Sequence, residues 1–330
     1  MSKLNKSHIL DPLQPNRATK VYGGEFSGIL NWNDIKYPHF YEIREAMRAN
    51  FWIAAEVDLS SDVREFESFG GKEMFLELLG TLATYSPVGI DIPNTLANYA
   101  TDPSVKSIFS TMLDQESEHN HAYGYIFNAL ANKVLVRGVL ESSYDDPFTI
   151  TENELTIQFV NELNTNKSIV GLLELMLNTM LRKSIRHSSV RAYFYHLAHK
   201  GQMRATAELI GLINRDLIHH TDFIAELFKA VLAENKGYSH EGAADNIERF
   251  VDYEVKWSRA RFMAYEQDFV DDVEGYVYYL ANRLLRSLGL PARYKGYDDN
   301  PLEWVNFYED TDKEEHQYSE TSSLSDFDDL

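Results

Sequence analysis

This chain of 330 residues contains no cysteine. That absence excludes disulfide bonds, zinc–thiolate sites, iron–sulfur clusters and thiol nucleophiles. Basic residues are few: 31 lysines and arginines stand against 51 acidic residues, and the net charge of −20 disfavours binding to nucleic-acid phosphates. No apolar run approaches the length of a membrane span, and the N-terminus shows no apolar signal core. We therefore expect a cytoplasmic protein that binds neither nucleic acid nor membrane.

Signals for β-strands are also scarce, because no Asn-Gly pair joins two alternating runs. Apolar residues instead recur at three- and four-residue spacing, which is typical of amphipathic helices. This periodicity predicts an all-α bundle with helices near 38–54, 72–85, 103–131, 152–181, 186–199, 203–235, 242–268 and 271–288.

Several residues predict where these helices begin and end. Pro87 and Pro93 interrupt one long apolar pattern and predict a kinked or broken helix there. The longest loop is predicted near 133–150. Caps and stops are predicted at Thr101 or Asp102, Thr151, Gly201 and Gly289.

The last 22 residues differ from the rest in composition. Acidic and small polar side chains dominate residues 309–330, so this stretch cannot bury enough apolar surface to fold alone. We therefore divide the chain into a helical domain, 1–308, and a flexible tail, 309–330. The tail is either a solvating segment or a docking peptide, because Leu324, Phe327 and Leu330 stand three apart and suit a short helix in a partner's groove.

The strongest chemical signal is Glu116-Ser117-Glu118-His119. Glu116 and His119 share one helix face, as in the Glu-x-x-His motifs of dimetal carboxylate proteins. A dimetal site needs a second such motif, but the residue three positions before His220 is Leu217. The residues alone therefore offer half a dimetal site and one further histidine. Taken singly, each histidine is more often a hydrogen-bonded structural residue.

Other motifs accompany this one in a definite order. They are Leu30-Asn31-Trp32, Asn50-Phe51-Trp52, Glu56-Val57-Asp58-Leu59-Ser60-Ser61-Asp62, Glu116-x-x-His119-x-x-x-Tyr123, Arg215-Asp216 with His220, Tyr279-Leu280-Ala281-Asn282-Arg283, and Asn300-Pro301-x-x-Trp304. In this order the chain resembles, over nearly its whole length, the radical-generating small (β) subunit of class I ribonucleotide reductases. The resemblance implies a ferritin-like helical bundle that forms a homodimer. It also implies reduction of ribonucleotides to deoxyribonucleotides together with a large (α) subunit that holds the substrate and the reducing cysteines.

The resemblance also implies roles for single residues. Tyr123 matches the tyrosine that carries the radical beside the metal site. Trp52, His119 and Asp216 match the hydrogen-bonded chain that carries a proton-coupled electron toward the large subunit. Tyr318 matches the tail tyrosine that relays the radical between the subunits. The apolar end of the tail resembles the peptide that docks on the large subunit.

The metal ligands depart from the family pattern, which has one Asp, three Glu and two His around two metal ions. The position of the Asp falls at Tyr85 or Ser86, that of the second Glu at Lys183, and that of the third at Leu217. The retained ligand positions are Glu116, His119 and His220.

These departures change what the site can bind. Two divalent ions need several anionic oxygen ligands, and one carboxylate does not supply them. An ammonium group at Lys183 would repel a metal ion by several kcal/mol at close range, but it would compensate the charge of Glu116. We therefore hypothesise a metal-free pocket beside Tyr123. It resembles the class Ie branch of the family, which places a lysine in the site, uses a hydroxylated tyrosine (DOPA) radical, and receives its oxidant from a flavodoxin-like activator.

Three further interpretations stay open. Glu116, His119 and His220, helped by His187, could hold one iron or manganese ion as a two-histidine, one-carboxylate site. The chain could instead be a non-catalytic β-like partner that stabilises or regulates an active subunit. It could also be another ferritin-like oxidase with a mononuclear metal, which would not need a docking tail.

Overall fold

A computed structural model describes residues 4–6, 18–27, 29–239 and 242–310. Within these ranges the chain forms α-helices, short 3₁₀ turns and two isolated bridges, and no strand. The helices are α1 (His39–Ala49), α2 (Ser60–Ser68), α3 (Lys72–Tyr85), α4 (Val88–Tyr99), α5 (Pro103–Leu130), α6 (Lys133–Tyr144), α7 (Pro147–Asn166), α8 (Ile169–Ser184), α9 (Ser188–His199), α10 (Arg204–Glu234), α11 (Ala243–Arg261), α12 (Gln267–Ser287) and α13 (Asn306–Glu309).

Most predicted helices and ends are confirmed. Each predicted segment carries at least one helix, and Asp102 is the N-cap of α5, where its side chain accepts a hydrogen bond from the backbone N–H of Ser104. Gly201 and Gly289 follow α9 and α12 with φ of 82° and 73°, a conformation in which glycine ends a helix without steric cost.

Three predictions between residues 133 and 181 are wrong. The predicted loop 133–150 is mostly helix α6, and the cap of the next helix is Asp146 rather than Thr151. The predicted helix 152–181 is two helices, because Lys167 adopts a left-handed conformation with φ of 50° and the side chain of Ser168 caps α8. Helix periodicity alone does not reveal such a break, since the apolar residues continue on both sides of it.

The predicted interruption at proline lies between α3 and α4. Helix α3 ends at Tyr85, and Pro87 precedes the first residue of α4, where its missing N–H costs nothing. Pro93 lies inside α4 and does not end it. The break at Pro87 leaves the carbonyl oxygen of Tyr85 free to accept a hydrogen bond from the Arg182 side chain, at 3.2 Å.

The long helices α5, α8 and α10 form the centre of the bundle. Helix α10 packs against α1, α5, α8 and α9, while α5 also packs against α3 and α4. Their inward faces carry a continuous apolar core, but α5, α8 and α10 also bury charged residues at one level of the bundle. None of the described helices combines the length and the apolar content that spanning a membrane requires.

The short helix α13 closes the described chain against α10. The ring of Tyr308 stacks on Tyr195, with centroids 4.3 Å apart and planes 6° from parallel. A Cβ atom at Gly211 on α10 would lie 3.1 Å from the Tyr308 ring, so the absence of a side chain there permits this close approach. The hydroxyl of Tyr276 also donates a hydrogen bond to Glu309. The chain is therefore fixed to the core up to this helix.

Candidate functional site

Three helices bring the predicted site residues together inside the bundle. Helix α5 carries Glu116, His119 and Tyr123 on one face, because positions i, i+3 and i+7 project to the same side. Helix α8 contributes Lys183 near its C-terminal end, and α10 contributes His220. With the exception of the partly exposed Tyr85 and Leu217, the predicted site residues among those described are buried.

Lys183 and Glu116 form a buried ion pair at the centre of this group. The Lys183 Nζ donates a hydrogen bond to Glu116 Oε1, and it lies 3.2 Å from His220 Nδ1. Burial alone would raise the pKa of the Glu116 carboxyl, but Lys183 and the neighbouring histidines hold it well below its usual range. Glu116 is therefore a carboxylate at neutral pH.

Gln115 determines which nitrogen of His220 carries the proton. The Gln115 Nε2 donates to Asp216 Oδ1 at 2.5 Å and to the Met47 carbonyl at 3.1 Å, so Oε1 is the atom that faces His220 Nε2 at 2.9 Å. His220 is neutral at pH 7, because burial and then Lys183 lower its pKa to about 4. Its Nε2–H therefore donates to Gln115, and its Nδ1 lone pair accepts from Lys183.

Trp52, Asp216 and His119 form a continuous hydrogen-bonded chain, as the resemblance implies. Trp52 Nε1 donates to Asp216 Oδ2 at 3.0 Å, and His119 Nε2 lies 3.0 Å from the same oxygen. Asn50 Nδ2 donates to the other oxygen, Asp216 Oδ1, at 2.7 Å. Burial alone would lower the pKa of His119, but the hydrogen bond to Asp216 and the Glu116 carboxylate, 3.6 Å from Nδ1, raise it to about 9, so His119 is a cation at neutral pH.

Tyr123 lies beside this group, in a cavity of about 50 Å³ that Glu116, His119 and Lys183 also line. The Tyr123 side chain is 5% exposed, and burial raises the pKa of its hydroxyl well above the usual range. It is therefore a neutral phenol at every ordinary pH, and losing an electron from it requires the loss of the phenolic proton as well.

Two substituted ligand positions, Tyr85 and Leu217, line the same cavity. The guanidinium carbon of Arg182 lies 3.6 Å from the centroid of the Tyr85 ring, and the Tyr85 hydroxyl has no hydrogen-bond partner among the described residues. Leu217 offers no donor atom to a metal. Neither residue replaces the carboxylate that the family places there.

The donor set of this site does not fit a dimetal centre. Glu116 is the one carboxylate that lines the cavity, and the ammonium of Lys183 already binds one of its oxygens. The free lone pair of His220 also faces that ammonium. Across the ranges that the structure describes, no group of three or more histidine, aspartate or glutamate side chains is arranged to hold a metal ion. His187, the predicted helper of a mononuclear site, lines the cavity but packs its ring against Tyr85 and Trp257.

Sequence reasoning missed three residues of this site. Gln115 is a polar neighbour of Glu116 that no motif marks. Asn50 belongs to the motif Asn50-Phe51-Trp52, but no role was predicted for it. Gly89 lies where a Cβ atom would be 2.6 Å from Glu116 Oε2, so only glycine leaves this carboxylate its place. The one sequence signal for Gly89 is its position two residues after Pro87. The predicted tail residues Tyr318, Leu324, Phe327 and Leu330 lie outside the described residues.

Comparison with known proteins identifies relatives of this arrangement. The family model described as "Ribonucleotide reductase, small chain" matches residues 29–301. A protein of Halalkalibacterium halodurans named ribonucleoside-diphosphate reductase subunit beta is 28% identical, and the match covers both chains in full. A protein of the same name from Treponema pallidum is 25% identical over 93% of this chain and 90% of its own.

Solved structures show the same architecture. A putative class I ribonucleotide reductase from Bacillus halodurans superimposes with a TM-score of 0.86 at 27% identity, covering 92% of this chain and 100% of that one. The R2 subunit of a ribonucleotide reductase from Clostridium botulinum gives a TM-score of 0.86 at 23% identity, covering 93% and 99%, and supports the fold alone. The predicted all-α, ferritin-like helical bundle is confirmed.

Proposed function

Because the chain belongs to the family of ribonucleotide reductase small chains, we propose that it generates and stores a radical derived from Tyr123 without a dimetal centre. It is an oxidoreductase of the ribonucleotide reductase type. In the proposed reaction it passes the oxidising equivalent to a large subunit, which reduces ribonucleoside diphosphates to deoxyribonucleotides. The observation that carries the metal-free part is the ion pair of Lys183 with Glu116.

The electrostatics of the pair support this proposal. A buried carboxylate needs a nearby positive charge, which metal ions supply in a dimetal site. Here the Lys183 ammonium lies against Glu116 and supplies that charge. A divalent ion in the same place would meet a like charge at close range in a low-dielectric interior, at a cost of several kcal/mol. Lysine therefore replaces the charge of the metal but not its redox chemistry.

The retained chain of polar residues supports radical transfer. Trp52, Asp216 and His119 are joined by hydrogen bonds of 3.0 Å, which allow a proton to move with the electron. A non-catalytic partner protein would have no need of this chain. We propose that it connects Tyr123 with the large subunit and that Tyr318 continues the path.

The proposed assembly follows the family. We propose a cytoplasmic homodimer in which residues 1–308 form the radical domain and residues 309–330 dock on the large subunit through Leu324, Phe327 and Leu330. A flavodoxin-like activator would reduce dioxygen to the oxidant, which inserts one oxygen atom into a ring C–H bond of Tyr123 and so converts it to DOPA.

The central experiment is metal analysis, intact mass and electron paramagnetic resonance of the protein from its native host. We expect less than stoichiometric iron and manganese, an organic radical signal, and a mass increase of about 16 Da at Tyr123, the mass of one added oxygen. Stoichiometric iron or manganese with an unmodified Tyr123 would contradict the proposal and favour the mononuclear alternative.

The variant Lys183→Glu tests the charge argument directly. It removes the ammonium and adds a second carboxylate beside Glu116, His119 and His220, so we expect it to bind Mn²⁺ or Fe²⁺ tightly where the wild type does not. Lys183→Gln, which removes the charge without adding a carboxylate, is the matched control. Equal metal affinity in the wild type and in Lys183→Glu would show that the lysine does not exclude metal.

Deletion of residues 311–330 tests the docking role, because it leaves helix α13 and the hydrogen bond from Tyr276 to Glu309 in place. The truncated protein should keep its radical signal and lose turnover with the purified large subunit. A synthetic peptide of residues 311–330 should compete with the full chain for the large subunit. If the truncated protein keeps full turnover, docking by the tail is refuted. If the full-length protein carries its radical but gives no turnover with the large subunit, the non-catalytic alternative is favoured.

A further inference from the structure

The cavity beside Tyr123 has an unusual wall of positive charge. We call this space of about 50 Å³ the arginine-lined cavity. Its lining includes Tyr85, Tyr123, Arg182, Lys183, His187 and Arg191. Both arginines are 4% exposed. A space of this size accommodates a few water molecules or one small ion.

Neither arginine of this cavity has a carboxylate partner within 4.0 Å among the described residues. Arg182 donates to Thr156 Oγ1 at 3.1 Å and to the Tyr85 carbonyl at 3.2 Å, and its remaining acceptors are also neutral. Arg191 donates to backbone carbonyls at the end of α8 and just beyond it. Two guanidinium groups are thus buried against neutral oxygens, which is costly for a group that stays charged at every ordinary pH.

The nearby carboxylates do not balance this charge. Glu116 pairs with Lys183, and Glu254 pairs with Arg186 at 3.1 Å. Glu152 is the third buried carboxylate of this region, and it compensates one further charge at most. Two further ion pairs of this region, His119 with Asp216 and Arg283 with Glu309, are balanced in themselves. The four remaining buried cations face three buried carboxylates, and one positive charge remains. The four cations are Arg182, Lys183, Arg186 and Arg191.

Unpartnered polar atoms line the same space. Both ring nitrogens of His187 and the Nε of Arg191 have no hydrogen-bond partner among the described residues, although these two side chains are 1% and 4% exposed. The buried hydroxyl oxygen of Tyr85 is unpartnered as well. Burial and then the neighbouring arginines hold the pKa of His187 well below its usual range, which reports a positive potential at this point. A neutral imidazole, a phenol and a guanidinium all offer hydrogen-bond donors.

We infer that the arginine-lined cavity binds one small monovalent inorganic anion, of the size of a halide or azide, beside Tyr123. The anion balances the remaining positive charge and accepts hydrogen bonds from Arg191, His187 and Tyr85. This inference rests on the metal-free site proposed above, because a metal ion would change the charge balance. It does not depend on whether Tyr123 is modified.

Bromide is a suitable probe because it scatters X-rays anomalously. Crystals of the full-length protein grown in sodium bromide should show one anomalous peak in the cavity, within hydrogen-bond distance of Arg191 or His187. In solution, bromide should raise the midpoint of thermal unfolding relative to sodium gluconate at equal ionic strength, because gluconate is too large to enter. Water density in the cavity without a bromide peak, in crystals that bind bromide elsewhere, overturns the inference.

Two variants distinguish bromide binding in this cavity from a general effect of salt on stability. Arg191→Met should weaken bromide binding by about tenfold or more, the size of one lost hydrogen bond to a charged group. His187→Leu removes a hydrogen-bond donor without removing a charge, so it should weaken bromide binding by a smaller factor. This second variant tests the inference even if Arg191→Met does not fold. The exposed Arg259→Met is the matched control. Equal bromide dependence in all proteins overturns the inference, and metal analysis of the same samples shows separately whether the metal-free site has failed.

Discussion

At the scale of single residues, the site depends on the replacement of metal charge by the charge of one ammonium group. In a dimetal site, ions compensate several carboxylates, whereas here one ammonium compensates one carboxylate. The pair is stable because each partner is also held by other groups: His119 lies beside Glu116, and His220 accepts from Lys183. The loss of either partner would leave the other charged and buried.

We expect Lys183→Met to lower the free energy of unfolding by about 3–5 kcal/mol, the cost of leaving a buried carboxylate without its counter-charge. Glu116→Gln in the same chain should recover a large part of that loss, because it removes the unpaired charge. Urea unfolding of the two single variants and the double variant measures this coupling. The surface pair of Lys229 and Glu226 is the control, and Lys229→Met should cost about 0–1 kcal/mol. Additive effects of the two site substitutions would contradict a direct interaction.

Gln115 links the two halves of the site, because its amide contacts both Asp216 and His220. Gln115→Leu should cost about 1–3 kcal/mol, since it leaves buried polar atoms without partners. It should also allow the His220 proton to move between the two ring nitrogens, which nitrogen-15 NMR of the imidazole detects. Gln267→Leu, an exposed amide on α12, is the control. An unchanged tautomer of His220 in the Gln115 variant would refute this orienting role.

At the scale of helices, the region 133–150 shows why sequence patterns fail locally. The side chain of Asn132 caps α6 by accepting from the N–H groups of Val134 and Leu135. Those two apolar side chains are 83% and 46% exposed, whereas Val136, Val139 and Leu140 pack against the core. The exposed apolar residues at the start of α6 therefore obscure an apolar stripe that is only one turn long. Helices α5 and α10 were predictable to within a few residues because their apolar faces bury steadily in the core.

The cap of α7 provides a test at this scale. Asp146 Oδ2 accepts a hydrogen bond from the Thr149 N–H at 2.9 Å, so Asp146→Ala should lower the free energy of unfolding by about 1 kcal/mol. Asp145→Ala, at the exposed neighbouring position, removes the same charge without removing the cap. Chemical denaturation of both variants gives the comparison, and equal losses would show that charge rather than capping is responsible.

At the scale of the whole molecule, the buried histidines predict how stability depends on pH. The pKa of His187 is held well below its usual range by burial and by neighbouring arginines, and that of His220 is lowered to about 4. The unfolded chain therefore binds these protons below about pH 6.5 while the folded chain does not, and stability falls as the pH falls. The pKa of His119 is raised to about 9, so its contribution is lost as the pH rises from about 6.5 through 9.

We therefore expect the free energy of unfolding to be greatest near about pH 6.5, between these opposing contributions. His187→Gln should flatten the acid side of the profile and leave the alkaline side unchanged. Urea unfolding between pH 5 and pH 9, at constant ionic strength, measures both sides. His121→Gln, at a largely exposed histidine, is the control. A profile of His187→Gln that parallels the wild type would show that His187 is not protonated preferentially in the unfolded chain.

The sequence predicted much of the site but not its surroundings. Spacing within α5 was enough to place Glu116 beside His119, and the family intervals placed Lys183 opposite them. The two unpaired arginines could not be predicted, because their lack of carboxylate partners depends on how α7, α8 and α9 pack together. A sequence shows which charges exist, but only the fold shows which of them are compensated.

The packing of α13 on α9 and α10 has a mechanical consequence. Because the Tyr195–Tyr308 stack holds this helix to the core, the residues after Asp310 begin from a fixed anchor. A partner that binds the proposed docking peptide is thereby tethered to the bundle. Its local concentration around the bundle rises to about the millimolar range typical of short linkers. Loosening the anchor, for example with Tyr308→Ala, would lengthen the tether and dilute the partner around the radical site without changing a single contact of the peptide itself.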